Sequence, residues 1–183
     1  MATLSRRRPG LTRAFALAVL ALLVAGLGSP AAAASPALTG RVVKLVDGDT
    51  IWVDVGAGRI EKVRYIGVNT PELRHPQRGV EPGSHEAHAV NRRLVEGKRV
   101  RLELDVQPRD RHGRLLAYVW TGDTMVNAEL VRLGYAQVMT VPPNVRHQSL
   151  FLKLQRDARD AARGLWSASE PGSVLAGESP RNR

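Results

Sequence analysis

Two short stretches carry more chemistry than their turns require. In "VDGDTI", residues 46–51, Asp47 and Asp49 stand two positions apart. Asp-Gly is a common hairpin dipeptide, which accounts for Asp47 and Gly48. It does not account for Asp49, which opens a β-rich run where aspartate is disfavoured. A carboxylate held at a strand end is a plausible hard-cation ligand. The second stretch, "RYIGVNTPEL", sets oxygen donors from Asn69, Thr70 and Glu72 around Pro71. Two oxygen clusters from separate strands can close around one Ca²⁺ or Mg²⁺; by spacing alone, a plain turn with a solvated glutamate fits equally well. Arg64 leads into this turn, and Arg114 follows a glycine in "DRHGRLLAY". Cleavage of a phosphodiester adds negative charge to the phosphorus oxygens in the transition state, which planar, permanently charged donors are suited to stabilise. Either arginine taken singly also reads as a surface strand residue.

The elements that would position these groups come strand-first. "RVVKLVDGDT" and "TIWVDV" are β-rich runs broken at Asp47-Gly48, and "RIEKVRYIGV" follows a Gly-Ala-Gly turn, with Ile60, Val63, Tyr65 and Val68 as its apolar positions. Ser84 opens a helical pattern with Ala87, Val90, Leu94 and Val95 on one face, stopped by Gly97. "KRVRLELDV" alternates as a half-buried strand does, and "GRLLAYVW" is a further strand. A short helix then places Val126, Leu130 and Leu133 inside and stops at Gly134. A last helix carries Leu150, Leu154, Ala158 and Ala161 on one face and runs to Gly164. Five short strands with one helix inserted and two appended predict an α+β chain, a five-stranded OB-fold β-barrel with three helices.

With 183 residues, the chain has room for one domain with a real core. Residues 1–34 read as a signal peptide: Arg6, Arg7, Arg8 and Arg13, then an apolar run from Ala14, then small residues with cleavage expected after Ala34. The apolar run is shorter than the roughly 20 residues that span a bilayer, which favours cleavage over a permanent anchor. Residues 35–40 read as a linker, 41–167 as the folded domain, and 168–183, rich in Ser, Gly, Pro and Glu, as a disordered tail. Losing residues 1–34 lowers the basic count from 27 to 23 against 17 acidic residues, about +6 for the mature chain. Four of those basic residues are lysines, so the charge is mostly guanidinium, which suits bidentate phosphate contacts. There is no cysteine, which excludes disulfides, thiolate metal sites and cysteine lipidation.

Taken in order, "DGDT" at 47–50, Arg64, "NTPE" at 69–72, "HPQRGVE" at 75–81, "RDRHGRLLAY" at 109–118, "VNAELVRLGYA" at 126–136 and "GLWS" at 164–167 resemble the staphylococcal nuclease family. The resemblance covers about Arg41 to Ser167. It implies an OB-fold barrel with three helices that hydrolyses DNA and RNA with Ca²⁺, leaving a 5′-hydroxyl and a 3′-phosphate. It further implies that Asp49 ligates calcium, that Asn69 stands at a second ligand position and that Thr70 offers its main-chain carbonyl. Glu72 would be the general base, and Arg64 and Arg114 would grip the scissile phosphate. Arg111 and His112 would lie near the terminal phosphate of the substrate. The expectation is a secreted or periplasmic nuclease of low sequence specificity acting on DNA and RNA, single-stranded or frayed strands preferred. It would be a monomer with no protein partner evident, touching membrane through the signal peptide alone. The alternative is a non-catalytic OB-fold nucleic-acid-binding module, which has no need for a ligand, a base and two arginines together. A calcium-stabilised structural module leaves the arginines unexplained.

Three further stretches carry histidines or line the substrate side. His85 and His88 lie i, i+3 on the first helix, but with no third ligand nearby in sequence they read as solvated residues. "DRHG" at 110–113 has its His and Gly in the opposite order to the D-R-G-H motif of the ββα-metal nucleases. "VMTVPPNVRH" has Met139, Thr140 and Val141 where the family archetype supplies tyrosines against the nucleotide. Stacking is worth roughly 1–3 kcal/mol per base, so nucleotide binding should be weaker here and base preference altered.

The other departure is Asn69 itself, an amide where the archetype has an aspartate. Lower ligand charge should raise the calcium requirement. Asn69→Asp is therefore expected to shift the calcium dependence of cleavage to lower concentration; an unchanged dependence would contradict this role for Asn69.

Overall fold

The computed structural model describes residues 38–167, and within them five strands curl into a barrel because each turns alternate apolar residues inward. The signal peptide and the tail expected from sequence lie outside the described residues. Strand β1 (Leu38–Leu45) runs antiparallel to β2 (Thr50–Asp54), and β2 to β3 (Ile60–Tyr65). A two-residue strand, β4 (Val68–Asn69), follows the turn at Gly67, before helix α1 (Ser84–Val95). Strand β5 (Arg99–Glu103) pairs with β1 on its other edge, and β6 (Leu115–Thr121) pairs with β5. The barrel closes where β6 also pairs in parallel with β3. A short hairpin strand β7 (Thr124–Met125), helix α2 (Val126–Arg132), a short strand β8 (Gln137–Val138) and helix α3 (Gln148–Asp160) complete the chain, with a 3₁₀ turn at Gly164–Trp166. The α+β, five-stranded OB-fold barrel with three helices is therefore observed.

Ile51, Val53, Val63, Tyr65, Val100, Leu102, Leu115, Ala117 and Val119 fill the barrel, each almost wholly buried. Helix α1 covers one side with Ala87, Val90 and Val95. It ends before Gly97, whose positive φ of 66° provides the left-handed stop that glycine tolerates.

The structure departs from the sequence expectations at four points. Strand β1 begins at Leu38, three residues inside the expected linker, because Leu38 to Arg41 ladder onto β5. Ile60 is exposed at the start of β3 rather than buried. Helix α3 buries Phe151 and Ala158, with Leu154 half-buried, while Leu150 and Ala161 face outward. Phe151 sets that phase: its ring lies against Gly67, where a Cβ would come within 2.7 Å of it, and beside the Tyr118 ring at 6.1 Å. The helix ends at Asp160, short of Gly164.

Asn127 joins the helices to the barrel. Its side-chain Nδ2 donates to the Ile66 carbonyl at 2.9 Å, and its Oδ1 accepts the Val119 amide at 2.9 Å, all fully buried. Asn127→Ala would strand both backbone groups, an expected loss of about 2–3 kcal/mol. Urea unfolding should show this as a lower midpoint with an unchanged slope; an unchanged midpoint would show that the two groups find other partners.

Candidate active site

The parallel closure of β3 on β6 decides where the two arginines meet. Val63 pairs with Leu115 and Arg64 with Leu116, so Arg114, one residue before β6, arrives beside Arg64 although 50 positions separate them in sequence. Both line one cavity of about 390 Å³, together with Arg111 and His112 from the turn before β6. Its apolar wall comes from Met139, Val141 and Pro142, the segment read as lacking tyrosines.

Arg64 is 8% exposed, and much of its guanidinium is already committed. Nη1 donates to the Tyr65 carbonyl at 2.9 Å and the Val68 carbonyl at 2.8 Å, and Nη2 donates to Asn69 Oδ1 at 3.0 Å. Nη1 also lies 3.1 Å from Asp49 Oδ2. Of the five N–H groups of a guanidinium, Nε–H and one Nη2–H have no acceptor among the described residues. Arg114 is held differently. Its Nε donates to Asp110 Oδ2 at 2.7 Å, while Asp110 Oδ1 accepts the amides of His112 and Arg114. Among the described residues neither Nη group of Arg114 has a hydrogen-bond acceptor, and the residue lines the cavity. Burial pushes the Asp110 carboxyl up, but the bonds from Arg114 and His112 outweigh it and hold the group below its ordinary range.

Asp49 is 4% exposed at the mouth of β2. Its Oδ1 accepts the Thr50 hydroxyl at 3.0 Å, and its Oδ2 accepts the Thr70 amide at 2.9 Å. Burial raises its carboxyl to about 6; Arg64 works against this, Asp47 adds to it, and the bonds from Thr70 and Thr50 lower it. Gly48 is needed here for approach rather than for turn geometry. A Cβ on it would lie 2.6 Å from Thr70 Oγ1. Helix α1 secures the same loop, since Asn91 Nδ2 donates to the Asp47 carbonyl at 3.1 Å and Asn91 Oδ1 accepts the Tyr65 hydroxyl at 2.9 Å.

Asp49, Arg64, Asn69 and Thr70 therefore form one contiguous cluster. Thr70 meets Asp49 through its main-chain N–H, and Asn69 turns its amide oxygen to Arg64. Glu72 stands apart from this contact. Its main-chain N–H donates to Glu81 Oε2 at 2.8 Å and its carbonyl accepts the Glu81 amide at 3.0 Å. Its side chain lines a neighbouring groove with Asp47, while Asn69 and Thr70 line another with Gln137. Pro71 is where the chain divides them. Asp110 and Glu81 are residues that reading the sequence for chemistry missed. Each lies inside a quoted motif, Asp110 four positions from the arginine that it holds and Glu81 nine from the glutamate whose backbone it bonds.

The donor chemistry fits a hard divalent cation at Asp49. A carboxylate has about four acceptor positions; Asp49 spends two on Thr50 and Thr70 and sets Oδ2 against Arg64 as an ion pair, which leaves acceptor positions open. The other oxygens at hand are the Asn69 amide and main-chain carbonyls, all of the kind that Ca²⁺ and Mg²⁺ take. Among the described residues no three His, Cys, Asp or Glu side chains converge on one point, so any such site is poor in charge.

Comparison with known proteins places this architecture. A family model described as staphylococcal nuclease homologue matches residues 62–168. The thermonuclease of Staphylococcus intermedius is 40% identical over 125 residues, covering 68% of this chain and 74% of the relative. That of Staphylococcus hyicus is 40% identical over 129 residues, covering 70% and 76%. Endonuclease YncB of Bacillus subtilis (strain 168) is 36% identical over 128 residues, covering 69% of this chain and 60% of the relative. With its family match spanning more than half the sequence, and relatives aligned over most of their own length, this chain belongs to the staphylococcal nuclease family.

Proposed function

We propose that this protein is a nuclease that hydrolyses phosphodiester bonds of DNA and RNA with low sequence specificity, using Ca²⁺, after export from the cell. The observation that carries the reading is the single cavity into which Arg64 and Arg114 both open, with the buried Asp49 carboxylate against Arg64. Support for the reaction class comes also from the thermonuclease and endonuclease relatives.

In the proposed reaction the scissile phosphate lies across the cavity rim. The free Nη groups of Arg114 and the uncommitted N–H groups of Arg64 pair with its non-bridging oxygens, more strongly as these gain charge. Glu72, reaching from the groove that it lines with Asp47, takes the proton from the attacking water, whose oxygen bonds to phosphorus as the bond to the 5′-oxygen breaks. The 5′-oxygen leaves as a hydroxyl after taking a proton from solvent water, and the phosphate stays on the 3′ side. Asp49, the Asn69 amide and the Thr70 carbonyl would hold the calcium. When bound, the ion supplies Lewis-acid polarisation of a phosphoryl oxygen and helps orient the water. Asp110 and Glu81 act as positioning residues, the first for Arg114 and the second for the backbone of Glu72. Arg111 and His112 would meet a phosphate one step along the strand; Arg111 Nε now donates to His112 Nε2 at 3.1 Å. A monomer acting on single-stranded or frayed strands is the form in which we expect it to work, and the Arg-led apolar N-terminus supports export.

The direct test is cleavage of single-stranded DNA by the mature protein with calcium, with EDTA, and as Glu72→Gln. Calcium-stimulated cleavage, its loss in EDTA, and a fall in kcat of about 10²–10⁴-fold in the variant are expected. Full activity in Glu72→Gln would remove Glu72 as the base. Nucleic-acid binding without any calcium-stimulated cleavage would favour the non-catalytic binding module. Asp110→Asn should lower kcat by about 10- to 100-fold through misplacement of Arg114, and should add nothing further to Arg114→Ala. Additive losses in the double variant would show that Asp110 acts elsewhere.

A further inference from the structure

The strand register sets three residues in a row across the outer face of the barrel. Lys44 on β1 pairs with Trp52 on β2, and Trp52 pairs with Lys62 on β3. Directly paired residues share a face of the sheet, so a lysine position stands on each side of Trp52. The three line a groove of about 520 Å³ with Arg74, and the same groove contains Glu72 and Asp47. It therefore runs from the proposed general base onto the cation–aromatic row.

Trp52 differs from the other two tryptophans. The Arg101 guanidinium lies 4.5 Å from the Trp120 ring, and the Trp120 N–H is bonded to Glu103. The Arg159 guanidinium lies 4.3 Å from the Trp166 ring. Trp52 has only the Lys62 ammonium at 5.8 Å. The cations of the groove are also uncommitted: among the described residues, none of Lys44, Lys62 and Arg74 forms an ion pair. Of the two acids, Asp47 turns Oδ1 to the Asp49 amide at 3.3 Å, so its charge stays at the end nearest the candidate active site.

We propose that Lys44, Trp52, Lys62 and Arg74 form a second nucleic-acid subsite, which stacks an unpaired base on Trp52 and pairs the flanking phosphates with the lysines and Arg74. It rests on the nuclease reading and extends it: a single strand with one phosphate at the arginine cavity continues past Glu72 onto this face. Aromatic stacking with a cationic border is how single strands are held without sequence preference, and the β2–β3 face is one that OB-folds offer to oligonucleotides. An anionic membrane would also suit cations and an indole, but it would not explain a groove that begins at Glu72.

The test compares a strand of about ten nucleotides with a dinucleotide as substrates of the full chain and its variants in calcium. Trp52→Ala should raise KM for the longer strand about tenfold, with kcat and the dinucleotide kinetics unchanged, and Trp52→Phe should restore most of the loss. Lys44→Ala with Lys62→Ala should lower the slope of log KM against log salt by about 1. Unchanged kinetics on the longer strand, or an equal loss on the dinucleotide, would overturn the subsite. Loss of binding to anionic vesicles in Trp52→Ala without a kinetic change would assign the face to lipid instead. If the unaltered chain cleaves neither substrate, the nuclease reading itself fails; if it cleaves both and Trp52→Ala has no effect, the subsite alone fails.

Discussion

The buried ion pair of Asp49 and Arg64 is the interaction on which the rest of the site depends. Two charges removed from water are retained only where each finds further hydrogen-bond partners, and removing one member of such a pair costs about 3–5 kcal/mol. Here the partners are the site itself. Asp49 collects Thr50 and the Thr70 amide, while Arg64 collects the carbonyls of Tyr65 and Val68 and the Asn69 amide oxygen. Satisfying the pair therefore folds the segment from Tyr65 to Thr70 back across the mouth of β2. A small residue at Gly48 makes that approach possible.

Barrel closure then adds what local sequence cannot supply. The parallel pairing of β3 with β6 brings Arg114 to the cavity that Arg64 already borders. The two arginines are unequal as a result. Arg64 is largely consumed by structure and ties the Asp49 carboxylate to the barrel, whereas the Arg114 guanidinium is held at Nε alone among the described residues. In the proposed reaction the larger share of transition-state charge would fall to Arg114 for that reason. Asn69 gains a second meaning as well. Its amide oxygen faces Arg64, so the position couples the arginine to the proposed calcium, and an aspartate there would add a charge against both.

Much of this was legible in the sequence, for physical reasons. Period-2 alternation and the Gly and Asp punctuation outlined the barrel strands, and the helix stops at Gly97 and Gly134 followed from the left-handed conformation that glycine accepts. The phase of α3 was misjudged because Leu150 and Phe151 are adjacent apolar residues, and only the missing side chain at Gly67 selects Phe151 for the core. Strands β4 and β8 are two residues long, too short to carry any periodic signal. The residues of the site stand out by their chemistry and by the family resemblance. Their grouping was not derivable by spacing: Asn69, Thr70 and Glu72 are neighbours in sequence, yet Pro71 sends them into different grooves. The supporting roles of Asp110 and Glu81 depend on hydrogen bonds to main-chain and side-chain donors that no residue pattern announces.

Calorimetric titration of calcium into the full chain and into Asp49→Asn, with no nucleic acid present, tests the central claim most directly. A charge-poor oxygen site should bind with a dissociation constant of order 10⁻⁴–10⁻³ M, and Asp49→Asn should abolish the binding heat while the circular dichroism of the barrel is retained. Equal calcium binding by a folded Asp49→Asn protein would contradict the placement of the cation at Asp49, and with it the account of how this site cleaves phosphodiesters.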